Sequence, residues 1–374
     1  MTQASITAHD TRRKWFALAV VVAAQFMVVL DIAIVNVALP AIKTDLHFAQ
    51  ENLQWVISAY AILFGGALLL GGRLADIFGR RRLFMLGLGL FSVASLLCGL
   101  SWSEESLIGF RALQGLGGAL LAPATLSILM TTFTEGPERN RALGIWGAAS
   151  GSGGAAGVLL GGFLTSYLSW SWVFFINVPV GIAVIAAAPL VLAESRGQHG
   201  HRHFDVAGAA SVTSGVMMLV YAMTRATQDG WASMATLSLL GGSAVLIAAF
   251  LAIELRSPAP LLPMRIFRLR SLSAANATAV MIGGIAFSQF FLLTLYMQDV
   301  LGYSAIRTGV GFATMTFTII VFSQVGQRLV TRYGVRSVLT AGLLLDSVSL
   351  AMFTQLPARH YFWSLFPGMV VGGI

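Results

Sequence analysis

Long apolar runs separated by short polar stretches dominate the chain. They lie at Phe16–Ala38, Leu53–Ala75, Leu83–Leu100, Leu107–Met130, Ala142–Thr165 and Trp172–Leu192. Further runs follow at Val206–Thr224, Met234–Ile253, Leu272–Met297, Thr308–Val330 and Val338–Gln355, and a last one opens at Phe362. Apolar runs of about 17–25 residues, coiled as helices, match a hydrocarbon layer ~30 Å thick. No water in that layer can satisfy backbone N–H and C=O groups, so helix is the expected form. The pattern predicts an all-α polytopic membrane protein. The run after Phe362 is too short to cross by Ile374, so the chain is read as truncated at its C-terminus, with further spans missing.

Composition agrees with the pattern. Of the 374 residues, 57% are hydrophobic and only 10% charged, against about 25% charged in a soluble domain. A net charge of +8 could suggest a nucleic-acid partner. The basic residues are instead dispersed one loop at a time. With the N-terminus inside, 18 of the 23 Lys and Arg residues fall in inside loops. Only Lys43, Arg225, Arg307 and Arg359 fall outside, and Arg111 lies within a span. This asymmetry predicts a cytoplasmic N-terminus in the cell (inner, plasma) membrane and no nucleic-acid role. Cys98 is the single cysteine, so no intrachain disulfide can form. There is no Gly-Lys-Ser/Thr phosphate loop, no Gly-x-Ser-x-Gly elbow and no His-Glu-x-x-His pair. An enzyme is not expected, nor a cofactor. His199, His201 and His203 alternate in a loop without cysteine and are not read as a metal site.

One polar stretch organises the chain: Gly71-Gly72-Arg73-Leu74-Ala75-Asp76-Ile77-Phe78-Gly79-Arg80-Arg81-Arg82. It is a tight turn between two spans. Gly72, Arg73, Asp76, Gly79, Arg80 and Arg81 are its candidate conformational residues, with guanidinium groups near enough to pair Asp76. A weaker copy, Gly326 to Arg336, recurs 255 positions later. Arg73 matches Arg328, Leu74 matches Leu329, Phe78 matches Tyr333 and Gly79 matches Gly334, while Asp76 becomes Thr331. Such repetition marks many transporter folds. It divides the chain into a six-helix half at 1–195, a linker with two extra transmembrane helices at 196–270, and an incomplete second half at 271–374.

Ionisable residues inside spans are costly, about 2.5–3.5 kcal/mol on insertion scales, and default to function. Asp31 lies about 22 Å into the first span, and Arg111 lies at a similar level of the fourth, by helical rise. They are candidate proton-coupling partners. Asp346, near the midplane of its span, is a second acid of the same kind. Gln114 shares the Arg111 face at i+3. Gln289 and Tyr296 share a face at i, i+7, and with Asn36 and Gln114 are candidate cavity residues. Gly153, Gly157 and Gly161 form a four-residue-spaced seam, continued by Gly162, for close helix packing.

Together these residues resemble the major facilitator superfamily, in its 14-span drug:proton antiporter branch. Gly72–Arg82 looks like the loop signature between spans two and three. Arg111-Ala112-Leu113-Gln114-Gly115-Leu116-Gly117-Gly118-Ala119 looks like the fourth-span proton-transfer signature. Leu30–Pro40 is similar to the first-span signature, with Ala33 where Thr is usual. Gly157–Gly162 looks like the fifth-span antiporter signature, with Val158 replacing its usual Pro. The resemblance implies a bundle of two six-helix halves plus two linker helices, and two further spans after Ile374. It implies a proton-coupled exporter of amphipathic drugs or antibiotics, whose partners are the small substrate, protons and the lipid bilayer; the chain is expected to be a monomer. A proton-coupled importer of a small metabolite is the alternative within transport. A non-transporting scaffold or receptor is the rival class, and it leaves the acids in spans unexplained.

Overall fold

The computed structural model describes residues 2–49, 52–195, 205–257, 260, 262, 264–354 and 361–374. It is helical throughout, with no strand among the described residues. The helices are α1 (Thr2–Asp45), α2 (Trp55–Phe78), α3 (Arg80–Gly99), α4 (Glu104–Thr132) and α5 (Pro137–Tyr167). A short α6 (Trp172–Phe175) leads into α7 (Asn177–Val191), followed by α8 (Val206–Asp229) and α9 (Met234–Arg256). The last are α10 (Arg270–Leu295), α11 (Ala305–Tyr333), α12 (Val335–Phe353) and α13 (Tyr361–Gly372). Eleven helical stretches among the described residues are long and apolar enough to cross a membrane, α6 and α7 counting as one. The fold is that of a multi-pass membrane protein.

Helix ends follow local chemistry. Asp205, Ser233 and Ser304 cap α8, α9 and α11, each side chain accepting from a backbone N–H in the first turn. Gly79 and Gly334 have φ of +110° and +81°, which lets a single residue join α2 to α3 and α11 to α12. The sixth span is interrupted at Ile176. Pro179 lacks the N–H that would bond the carbonyl of Phe175, which accounts for the break. α10 gives way to a π-helical turn at Tyr296–Val300, so the regular helix ends two residues before the Met297 expected from the apolar run.

Contacts gather into two units. The first comprises Met1–Val20, Leu39–Ile128 and Phe174–Asn276. Here α4 lies tight against α2 and α3. A Cβ on Gly115 would strike the carbonyl of Tyr60, and one on Gly117 would come within 2.6 Å of the Phe91 nitrogen. The pair α8 and α9, which the sequence places between two halves, is docked on this unit. Ser243 Oγ donates to the Gly215 carbonyl at 2.8 Å. On α2, Gly66 receives Met217 of α8, and the rings of Trp55 and Tyr221 lie 5.4 Å apart.

The second unit comprises Val21–Ala38, Leu129–Val173 and Ala277–Ile374. The small-residue face of α5 meets the middle of α1. A Cβ at Gly153 would lie 3.1 Å from Val29 Cβ, and one at Gly161 3.0 Å from the Ile34 carbonyl. At Gly157 the distances are 2.7 Å to Ala33 Cβ and 2.8 Å to the Leu30 carbonyl. Gly162 is buried beside them. Farther along, Leu293, Met297, Phe312, Leu365 and Met369 form an apolar core, with Phe290 stacked on Phe312 at 4.5 Å. Ser349 Oγ donates to the Gly368 carbonyl at 2.8 Å and accepts from Gln289 Nε2 at 3.4 Å, tying α10, α12 and α13.

Gly157→Leu is therefore expected to destabilise the protein by about 1–3 kcal/mol, the usual cost of overpacking a filled interface. Gly147→Ala, where no atom lies within 4 Å, serves as the neutral comparison. Unfolding midpoints of the two purified variants in detergent check this.

Candidate functional site

The densest polar site is built around Arg111. Its exposure is 1%, and that of Gln114 is 0%. A guanidinium carries five donors and no acceptor, so burial demands acceptors around it. Nε donates to the Val56 carbonyl at 2.9 Å, and a terminal nitrogen donates to Gln114 Oε1 at 2.6 Å. The guanidinium carbon also lies 4.3 Å from the ring centre of Tyr60 and 5.8 Å from that of Phe174. Both rings present the negative face of their quadrupole to the cation.

The network continues inward. Gln114 Nε2 donates to Ser95 Oγ at 3.1 Å, and Asn177 Nδ2 donates to the same oxygen at 3.0 Å. Ser95 Oγ in turn donates to the Phe174 carbonyl at 2.9 Å. The hydroxyl thus uses its one donor and both acceptor positions. The break in the sixth span places Phe174 and Asn177 on either side of Ile176, where both reach Ser95.

A second polar site sits at the α2–α3 turn. Arg80 pairs with Asp76 at 3.1 Å. Glu194, just past α7, accepts from the backbone N–H of Arg81 and of Ser195, each at 3.2 Å. Its other oxygen lies 3.8 and 3.7 Å from the Nε atoms of Arg81 and Arg82. Arg81 also donates to the Leu192 carbonyl at 3.2 Å, and the Arg80 N–H to the Ser195 carbonyl at 3.0 Å. The long, partly exposed ion contacts are worth little. The backbone bonds dock the turn onto the end of α7. Gly79 lies directly beneath the Glu194 carboxylate, where a Cβ would not fit. Gly72 and Arg73 are half-buried just before the turn.

The remaining candidates are dispersed. Asp31 is fully buried in α1. Asn36 is exposed and turns its amide back to the Ile32 carbonyl at 2.8 Å. Asp346 is half-buried in α12. Gln289 is buried in the Ser349 contact, and Tyr296 packs against the apolar core of the second unit. His199, His201 and His203 lie outside the described residues. Among the described residues no group of His, Cys, Asp or Glu could hold a metal.

Ser95, Asn177 and Glu194 were not anticipated. Asn177 carried a readable signal, as a polar residue next to an aromatic run inside a span. Ser95 and Glu194 carried none, because their partners are remote in sequence.

The model of the Major Facilitator Superfamily matches residues 21–374. The chain belongs to this superfamily. This superfamily member is 43% identical over 316 residues to the cephamycin export protein CmcT of Amycolatopsis lactamdurans, covering 84% of the chain and 64% of that relative. It thus spans about two thirds or less of that protein's length. It is 39% identical over 368 residues to the puromycin resistance protein pur8 of Streptomyces alboniger, covering 97% of the chain and 72% of that relative. A crystal structure of a peptide transporter, POT, in complex with sulfate aligns over 96% of the chain and 79% of its own, with a TM-score of 0.63. At 18% identity that likeness speaks for the superfamily fold alone. The superfamily is one of transporters, not of enzymes.

Ser95→Ala removes the shared partner of two buried amides and a carbonyl. Leaving buried polar groups unpaired costs about 1–3 kcal/mol each, so a loss at the upper end of that range or above is expected. Ser95→Thr, which keeps the hydroxyl, is expected to lose less. Denaturant or thermal unfolding of both variants in detergent checks the order.

Proposed function

We propose that the chain belongs to a proton-driven exporter of amphipathic drugs or antibiotics. The names of its relatives, one an export protein and one a resistance protein for antibiotics, support the substrate class. The observation that carries the energy-coupling step is the burial of Asp31, at 0% exposure, in the interior of a membrane-length helix. An ionisable side chain inside a span is costly and is read first as functional. In this reading Asp31 takes up a proton arriving from outside. Arg111, bonded to the Val56 carbonyl and to Gln114, and Asp346 are the other candidate proton-coupling residues. The substrate leaves as the proton enters, by alternating access. The turn at Gly72 to Arg81 latches one conformation. The N-terminus is cytoplasmic and the membrane is the cell membrane, by the distribution of basic residues.

In proteoliposomes with an acidic exterior, Asp31→Asn is expected to reduce efflux of a lipophilic dye to the protein-free background. Arg111→Lys keeps the charge but loses the planar five-donor fork, and is expected to fail as well. Unchanged gradient-driven efflux in Asp31→Asn removes that residue from the mechanism. For the orientation, Cys98 is buried and does not interfere. Ala232→Cys is expected to react with a membrane-impermeant maleimide in intact cells, and Thr331→Cys only after permeabilisation. The reverse labelling overturns the orientation.

A further inference from the structure

The two copies of the helix–turn–helix stretch differ in what their arginines touch. In the first, Arg80 meets Asp76, and Arg81 and Arg82 flank Glu194. In the second, Gly334 makes the same one-residue turn, but Thr331 stands where the acid was. Arg328, Arg332 and Arg336 are all exposed there, and none has a carboxylate partner among the described residues. The Arg332 guanidinium lies 5.3 Å from the ring centre of its neighbour Tyr333, which is itself exposed. Arg328 and Arg332 share a face of α11 at i, i+4. On the same two helices, Val325, Leu329, Val335 and Leu339 are also exposed, interleaved with the charges along the chain. Gly334 offers α12 no side-chain cap, so its first-turn N–H groups have no side-chain acceptor from the cap residue.

Three exposed cations interleaved with exposed apolar side chains match one chemistry. A phosphodiester headgroup accepts charge-assisted, bidentate hydrogen bonds from guanidinium groups. Its acyl chains require an apolar surface directly beneath. Tyrosine at that level is the usual interfacial anchor. We propose that the α11–α12 turn binds the headgroup of an anionic phospholipid, with the acyl chains lying along Val325, Leu329, Val335 and Leu339. The α2–α3 turn does not share this property, because Arg80, Arg81 and Arg82 are already engaged by Asp76 and Glu194. This assignment is independent of the transported substrate and of the direction of transport.

The test uses the purified protein in nanodiscs of phosphatidylethanolamine with added phosphatidylglycerol, a lipid present in both leaflets. The result therefore does not depend on the orientation argued above. Lipid retained after detergent extraction is counted by native mass spectrometry. The wild type is expected to retain phosphatidylglycerol in preference. Each of R328Q, R332Q and R336Q is expected to weaken that preference about fivefold, and the triple variant roughly a hundredfold, from the usual contribution of a basic residue at an anionic surface. R12Q/R13Q, which removes exposed charge elsewhere, is expected to leave it intact. Unfolding midpoints in phosphatidylethanolamine alone show that the variants are folded. Unchanged retention in the triple variant overturns the proposal, as does an equal loss in R12Q/R13Q. Absence of any preference in the wild type also overturns it, and indicates that another segment of the protein covers these arginines.

Discussion

The burial of a single guanidinium governs the first unit. Arg111 cannot shed its proton and brings five donors into a region without water. Each donor left unmet would cost as much as a typical core contact returns. The neighbouring structure supplies what is needed. A carbonyl comes from α2, an amide oxygen from the next turn of α4, and two aromatic faces from Tyr60 and Phe174. These groups can approach because α4 carries no side chain at the points where α2 and α3 cross it. Gly115 admits the backbone of α2, and Gly117 admits that of α3. Between helices in lipid, close approach of this kind is itself the main source of adhesion. The same glycines therefore serve packing and charge together.

The Arg111 network and the Gly79 turn are also joined by two rigid elements. α3 begins at the turn and carries Ser95 fifteen positions on. α7 begins at the network with Asn177 and ends beside Glu194, which holds the turn. The two helices run antiparallel, and a Cβ at Gly181 of α7 would overlap Ser92 of α3. Each end of the pair is pinned by polar contacts about 22 Å apart, from the helical rise. A shift of one helix against the other would break hydrogen bonds at both ends at once. That is a physical basis for the two sites sharing one conformational state. It does not require a wire of intermediate residues.

Much of this was legible in the sequence, and the remainder was hidden for definite reasons. Span positions followed from the length of apolar runs, because the bilayer imposes a fixed thickness. The i, i+3 spacing put Gln114 on the face of Arg111, a relation internal to one helix. The small-residue seam on α5 was visible for the same reason. Its partner, the Phe26 to Val37 part of α1, was not. Ser95 and Asn177 are 82 positions apart, and Arg81 and Glu194 are 113 apart. No periodicity encodes such meetings. The helix ends drifted for a subtler reason. α1 runs through Pro40 to Asp45, since a proline near a helix end forfeits one bond but need not stop the chain.

The internal repeat shows what a duplicated fold keeps and what it discards. At an offset of 255 positions, Gly117 and Gly118 correspond to Gly372 and Gly373. In the first unit, Gly117 faces α3 at Phe91 and Gly118 faces α2 at Phe64 and Tyr60. In the second, Gly372 faces α12 at Ser349 and Gly373 faces α11 at Met315 and Thr318. Met315 stands at the position of Tyr60. The glycine contacts are thus repeated helix for helix, because at each of the four positions a neighbouring helix fills the space a Cβ would take. The chemistry is not repeated. Arg111 corresponds to Phe366 and Gln114 to Met369, and Met369 is fully buried in an apolar core. A second buried cation would have needed its own carbonyl, amide and hydroxyl partners, and Ser349 is already engaged with Gly368 and Gln289. One copy carries the charge and the other packs apolar, adaptable side chains in its place. Duplication supplied the scaffold, and the departures from it are where function is to be sought.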